Sequence, residues 1–481
     1  MNYIDKLKQD TNNNSDITYR NIKIKNKSIN IIYIDSLTSS DKISDFIIRS
    51  LTNIQNIDIS LQNIYNSITN FKVIVGNTYK EMCDYLNNGF TILLLGNEKN
   101  FLALETKSSE NRSISEPNTE QTIRGSKDSF VENYQTNIGL IRKRIKNNNL
   151  WIKNINIGKY TNTKIGIIYI NGIVKKELVN KVYQKLKKIN IDGIITSGSI
   201  KNILSNSSNN ILPTIMTTER PDLASSSLLE GKLVIIIDNN PYVLIIPSVL
   251  NDFFKTIEDE YENHINASFT RCLKVICFWI SLLTPGIYIA LINYNQEILP
   301  TELLINISIQ REVVPFPAFF EGFIMILSFE ILRETDFRSP SFGSSALSIV
   351  GALILGEAAV EAGIASPIMI NITAITAISS LPFTEFELIN SLRWYRILFM
   401  IGGSTFGIIG IVVVFIFFIT KLSYMESFVK PYLLPYIPLD KYGIKNGIFK
   451  SDIKKDDKRA NYLSTNIIKQ RNEDKWKKYY S

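Results

Sequence analysis

Apolar and polar positions alternate through the first half of the chain, then give way to long apolar runs. Ile29-Asn-Ile-Ile-Tyr-Ile34 reads as a strand and residues 41–66 as an amphipathic helix. Phe71–Val75, Phe90–Leu95 and Phe101–Leu104 read as further strands, and the polar stretch 106–128 as a loop. The run Thr136–Ile145 predicts a helix bridging two subdomains, with the basic cluster Arg142-Lys143-Arg144 on a solvated face. Beyond it come a strand at Ile165–Ile170, a helix at Lys175–Lys188, a strand at Gly193–Ile195 and a helix at Ser199–Leu204. Strands Lys232–Ile237 and Tyr242–Ile246 flank Asp238-Asn239-Asn240-Pro241, which has the composition of a hairpin turn. Such alternation predicts small α/β layers.

The second half has a different solvent. Val275–Asn293, Ala362–Thr384 and Ile397–Thr420 carry no charge, and each approaches or exceeds the roughly 20 apolar residues that cross a bilayer. Ser341–Gly356 is uncharged and continues through Glu357 and Glu361 to Ala365. Val313–Leu332 is interrupted by Glu321 and Glu330, which fall on opposite helix faces. A carboxylate in hydrocarbon costs at least ~2.5 kcal/mol, so an interfacial or re-entrant helix is expected there. Basic residues lie before the first run (Arg271, Lys274) and after the last (Lys454, Lys455, Lys458, Arg459, Lys477, Lys478). The positive-inside tendency puts both ends in the cytoplasm, which requires an even number of crossings; four are expected. The expected fold is thus an α/β soluble N-terminal region of two small subdomains, then an α-helical multi-pass membrane domain. The boundaries are a flexible tail at 1–27, subdomains at 28–145 and 146–265, the membrane domain at 266–425 and a basic cytoplasmic tail at 426–481.

Composition refines this picture. The 481 residues average a hydropathy of only +0.04, because the two halves offset one another. The net charge of +8 would suit nucleic acid or an anionic membrane surface. No zinc-finger spacing, RNA-binding aromatic signature or recognition helix is present, so no nucleic-acid partner is expected and the membrane-proximal basic residues account for the charge. Three cysteines cannot make a disulfide framework, and Cys272 and Cys277 read as small apolar residues at the head of an apolar run. The N-terminus lacks an apolar signal core, so the α/β half is expected to stay in the cytoplasm. His264 is the single histidine, which rules out multi-His metal sites, and no phosphate-binding Gly-x-x-x-x-Gly-Lys loop exists. Ser197-Gly198-Ser199 has no base in view. The expectation is no enzyme, no cofactor and no metal.

Taken as one helix, Ala346–Ile364 has two unlike faces. Val350, Leu353, Glu357, Val360 and Glu361 share one; Gly351, Gly356 and Ala359 belong to the small residues that let neighbouring helices approach closely. Acids within a span usually face a bundle interior or an aqueous cavity. In a homo-oligomer, Glu357 and Glu361 would form two carboxylate rings favouring cations, with Val360 as an apolar gate. Alternatively, both acids pair with arginines, Arg393 and Arg396 being the candidates. Gly403 and Gly407 make a Gly-xxx-Gly step suited to a tight crossing. Thr218-Glu219-Arg220-Pro221-Asp222 reads as a structural loop: Pro221 favours an extended Arg220, and the three charged residues can form charge-assisted bonds.

Several strings recur in a known order. They are Thr218–Asp222, Leu229-Glu-Gly231, Pro241-Tyr-Val-Leu244, Arg311-Glu-Val-Val-Pro-Phe-Pro317, Glu330-Ile-Leu-Arg333-Glu334, Ile349–Pro367 and Pro431-Tyr-Leu-Leu-Pro435. Together they resemble the A subunit of GerA-type spore germinant receptors, over roughly residues 125 to 440. The resemblance implies a multi-pass protein of the spore inner membrane with two partners, a transporter-like B-type subunit that senses the nutrient and a C-type lipoprotein. It also implies a homo-oligomer, in contact with membrane lipid, that forms an ion-conducting path. An A-like accessory subunit of the dipicolinate channel and a non-conducting scaffold remain alternatives. Asp336 and Phe337 depart from the small or aliphatic residues of the family, and Glu357 stands where glutamine is expected. The latter change bears on ion preference.

Overall fold

The structure is a computed structural model that describes residues 2–24, 27–52, 60–68, 72–96, 98–108, 116–117, 119–205, 210–338, 356–452, 458–460 and 462–465. Two α/β units come first. In the first, the order is α1 (Tyr3–Asp10), β1 (Ile17–Ile24), β2 (Lys27–Ile34), β3 (Val73–Gly76), α2 (Tyr79–Asn87), β4 (Phe90–Leu95) and β5 (Phe101–Glu105). In the second it is α3 (Tyr134–Arg144), β6 (Leu150–Ile157), β7 (Thr163–Ile170), α4 (Lys176–Lys187), α5 (Ser197–Leu204), β8 (Met216–Thr218), α6 (Pro221–Glu230), β9 (Leu233–Ile237) and β10 (Val243–Ile246). The sheets are fully antiparallel and share one plan, β1-β2-β4-β5-β3 and β6-β7-β9-β10-β8. The sequence repeats with the topology: Ile31-Ile-Tyr-Ile34 in β2 corresponds to Ile167-Ile-Tyr-Ile170 in β7. Central strands β4 and β9 are buried on both faces, which is why they read as unbroken apolar runs.

Four expectations need correction here. Residues 3–24 are folded rather than a loose tail: Leu7 of α1 is buried, and β1 pairs along its whole length with β2. Ile17 and Tyr19 pack on one face of the sheet and Ile22 and Ile24 on the other, so no single alternation marks the strand, and Arg20, Asn21 and Lys23 are exposed. The expected helix 41–66 is broken into Ser40–Lys42, a wide π-type turn Ile43–Ile48, Arg49–Thr52 and, further on, Leu61–Ser67. Gly193–Ile195 is irregular, because Gly193 packs against the Thr161 side chain of the β6–β7 hairpin instead of entering the sheet. The C-terminal segment is not a free tail either. A small hairpin, β11 (Glu426–Ser427) and β12 (Lys430–Pro431), inserts Phe428 into the core of the second unit.

The units are bolted together at the β6 edge. Asn14 donates to Leu150 O (2.9 Å) and accepts from Ile152 N (3.2 Å), standing in for a strand partner. Beside it the buried pair Arg142–Asp16 closes at 2.5 Å, so Arg142 is not on a solvated face. Removing either partner would strand a buried charge, typically at ~3–5 kcal/mol.

The helical half follows: α7 (His264–Asn293), α8 (Thr301–Arg311), α9 (Ala318–Arg338), a helical stretch at 356–361, α10 (Pro367–Ile378) and α11 (Phe386–Tyr424). Two of these, α7 and α11, are long and apolar enough to cross a membrane. The expected single crossing at 397–420 is in fact a reversal. Gly407 takes φ 62° and ψ −139°, and the limbs on either side fold back on each other. A Cβ on Gly402 would sit 3.0 Å from Gly410 O, whereas eight residues of straight helix would separate them by about 12 Å. Ring contacts of Tyr395 and Phe399 with Phe418 continue the pairing.

Cross-contacts fix the directions. Ser281 meets Arg396, Gly286 meets Phe399 and Gly403, and Asn295 meets Ile408, so α7 and the first limb of α11 run parallel. Opposite to both runs α9, with Gly322 near Met400 and Glu330 near Arg393 and Arg396. Its 21 residues reach about 31 Å. It packs along the bundle beside the two helices that are apolar enough to cross a membrane. His264, Phe386 and Tyr424 all lie at the α/β end of the bundle, and Asn293 and Gly407 at the other.

Candidate functional site

The stretch 356–361 is the described part of the acid-bearing helix; Val350, Gly351 and Leu353 lie outside the described residues. Glu357 and Glu361 are exposed, Val360 is half-buried, and Gly356 and Ala359 are buried. Ala359 packs in a cluster with Ile307, Ala318, Ala365 and Met369. Gly356 and Ala359 thus face inward, while the acids, with Ala358 and Ala362, face outward from the single chain. Among the described residues, no ion pair within 4.0 Å involves Glu357 or Glu361.

The corner after this stretch is held by a buried carboxylate. Gly363 takes φ +65° and packs under Val313 O, where a Cβ would lie 3.1 Å away. Ser366 then caps α10 by accepting from Met369 N. Glu321 of α9 accepts from Ser366 N (2.7 Å) and Ser366 Oγ (2.5 Å), with Arg311 Nε at 3.6 Å. Ser366 thus satisfies Glu321 Oε1, while the buried Oε2 makes no hydrogen bond and has only the Arg311 charge at 3.6 Å.

Glu330 has its own partners. Arg333 approaches to 2.6 Å, Arg393 to 2.8 Å and Arg396 to 3.5 Å, while Arg396 Nε donates to Ser281 O at 2.8 Å. One carboxylate therefore ties α9, α11 and α7 together. The arginines considered as partners for Glu357 converge instead on Glu330.

Backbone proximity sets the α7–α11 crossing. A Cβ on Gly403 would lie 2.4 Å from Gly286 O, so only glycine permits this approach. Gly407 is not on that crossing; it forms the turn, where Asn295 Oδ1 accepts from Ile408 N at 3.2 Å.

At the other end the helices meet the second α/β unit. Lys201 of α5 pairs with Glu385 at 2.7 Å and Glu387 at 2.9 Å, and Glu385 also accepts from Thr217 N at 3.2 Å. Burial raises the Glu385 carboxyl, against the opposing pull of Lys201. Arg271 at the start of α7 pairs with Asp259 at 2.6 Å. Below the second limb of α11, Ser427 Oγ accepts from Ser248 N (3.0 Å) and donates to Thr214 O (2.7 Å). Three helix ends thus meet the second α/β unit and the short helix Glu258–Tyr261 that follows it.

The Glu219–Asp222 corner is part of this platform. Pro221 is the first residue of α6 and Arg220 its extended cap. The fully buried Arg220 guanidinium holds Asp222 (2.6 and 3.1 Å), the carbonyls of Glu120 and Ser126 and the Thr122 hydroxyl (3.0 Å each). Glu219 accepts from Thr119 N (2.6 Å), Thr119 Oγ1 (2.8 Å) and Glu120 N (3.1 Å). The motif clamps the 119–126 segment onto the sheet. Glu120, bonded to Thr218, is pushed up to about 7, chiefly by burial and further by the neighbouring Glu385 and Glu219 carboxylates. Nothing in the local sequence flagged Lys201 or Glu385, since their partnership spans 184 residues.

The family model described as Bacillus/Clostridium GerA spore germination protein matches residues 5–462. Spore germination protein KA of Bacillus subtilis (strain 168) is 37% identical over 467 residues, covering 96% of this chain and 86% of that protein. Spore germination protein A1 of the same strain is 32% identical over 404 residues, 84% and 83% of the two chains. A third relative from that strain, the uncharacterized membrane protein YfkQ, is 34% identical over 90% of this chain and 85% of its own. Among solved structures, the N-terminal domain of the A subunit of the Bacillus megaterium spore germinant receptor GerK3 has 28% identity. It covers 51% of this chain and 94% of its own, with a TM-score of 0.41.

Proposed function

The chain belongs to the Bacillus/Clostridium GerA family of spore germination proteins, and from that premise we propose that it is the ion-conducting A-type subunit of a germinant receptor. It sits in the spore inner membrane with both termini in the cytoplasm, as a homo-oligomer served by a transporter-like B-type subunit and a C-type lipoprotein. The two α/β units form a cytoplasmic ring that receives the signal. The junction around Lys201, Glu385, Arg271 and Ser427 passes it to α7 and α11. The helix carrying Glu357, Val360 and Glu361 lines the path, with Val350 and Leu353 continuing the lining, Val360 as the gate and Gly351, Gly356 and Ala359 against the neighbours.

One observation carries this reading: Glu357 and Glu361 point away from the chain's own core in an apolar helical half. Facing lipid, each acid would cost at least ~2.5 kcal/mol, so the face needs water or a second subunit. Acidic rings one turn apart select cations. Cysteine accessibility tests it. In a chain whose native cysteines are replaced, Glu357→Cys in the assembled receptor reacts with a water-soluble cationic thiol reagent and Ala359→Cys does not. Equal reactivity at both positions would remove the pore-facing assignment.

A further inference from the structure

A cavity of about 740 Å³ lies between α6, residues 252–260, the start of α7 and the C-terminal stretches 443–451, 458–460 and 462–463. It is remote from the acid-bearing helix, and its reading does not depend on a pore. Six basic side chains stand in its wall: Lys232, Lys255, Arg271, Lys450, Lys458 and Arg459. Among the described residues three acids share the wall, Glu230, Asp252 and Glu260, and Asp259 just behind it neutralises Arg271 at 2.6 Å, leaving two positive charges in excess.

The pairs within the wall are uneven. Lys232 and Asp252 are both buried and close at 2.9 Å, and Asp252 also accepts from Val249 N. That carboxylate is largely committed, so Lys255 at 3.8 Å has a weak share of it. Arg459 Nε meets a carbonyl, Leu229 O, at 2.7 Å. Asn147, Asn171 and Ser227 add neutral polar groups to the lining. Ligand sites typically measure roughly 300–1,000 Å³ and combine an apolar wall with a few polar groups. A positive wall partly withdrawn from water attracts anions more strongly than an exposed one.

We infer that this cavity binds a small multivalent organic anion, held between Lys255 on the α/β side and Arg459 on the C-terminal segment. Bound there, the anion joins elements some two hundred residues apart and fastens the C-terminal segment against the root of α7. The shared chemistry is a cluster of carboxylate or phosphate oxygens.

The test uses the purified full-length chain in detergent, titrated calorimetrically with citrate, with adenosine 5′-monophosphate and with uncharged adenosine. At least one charged probe binds saturably and adenosine does not; which one binds tells carboxylate from phosphate recognition. Lys255→Gln and Arg459→Gln, both at partly exposed positions, each weaken that binding roughly tenfold or more. Glu260→Gln strengthens it, because one opposing charge is gone. Melting temperatures of the unliganded variants identify any that fold poorly. Absence of saturable binding by either charged probe overturns the inference. So does binding that a folded Lys255→Gln variant leaves unchanged.

Discussion

Lys201 Nζ lies 2.7 Å from Glu385 Oε1, joining a helix of the second α/β unit to the residue that opens α11. Both side chains are nearly buried, so the pair is a strut and not a surface contact. Its second acid, Glu387, is half exposed and adds less.

Breaking the strut should loosen the junction. Lys201→Met leaves Glu385 buried without its cation, and Glu385→Leu leaves the lysine with Glu387 and the Thr217 hydroxyl. Each single change is expected to destabilise by about 3 kcal/mol, whereas Lys201→Met with Glu385→Leu recovers most of the loss. Melting temperatures of the four proteins in detergent measure the coupling. Additive losses would show that the pair does not act as a unit.

The turn at Gly407 makes a separate prediction. Its φ of 62° with ψ −139° is a conformation that L side chains avoid, and a Cβ would lie 2.7 Å from Asn295 Oδ1. Gly407→Ala should cost about 1–3 kcal/mol or open the hairpin. Gly410→Ala should be as harmful for a different reason, contact with the Gly402 carbonyl. Spin labels at the exposed positions Trp394 and Thr420 report the hairpin directly, since 26 residues of straight helix would hold them about 39 Å apart. They are close in the parent and separate in the Gly407→Ala protein.

The Glu120 clamp should depend on pH. Its folded-state pKa of about 7 exceeds the ordinary 4.5, so the folded form binds the proton more tightly. The stability it contributes is present below about 4.5 and is lost as pH rises through about 7. Proteolysis within 119–126 should therefore be slower at pH 5.5 than at pH 8. Glu120→Gln, neutral throughout, should flatten that difference.

The α/β half was largely legible because period-two alternation and the Asp238–Pro241 turn are local signals. The helical half was legible only as apolar runs. Hydropathy cannot distinguish one 39-residue helix from two limbs reversing at Gly407, since the reversal depends on φ and on Asn295. The cost of Glu321 and Glu330 was not legible for a related reason: it depends on partners brought in by folding, Ser366 for one and three arginines for the other. Helical spacing placed Glu357 and Glu361 on one face; that both are exposed in the chain is a finding of the fold.

The most direct test of the pore assignment is the ratio of cation to anion permeability through the complete receptor reconstituted in liposomes. The account predicts that Glu357→Gln lowers this ratio markedly, and that Glu357→Gln with Glu361→Gln nearly abolishes the preference, while assembly stays intact. An unchanged ratio in the assembled double variant would contradict it.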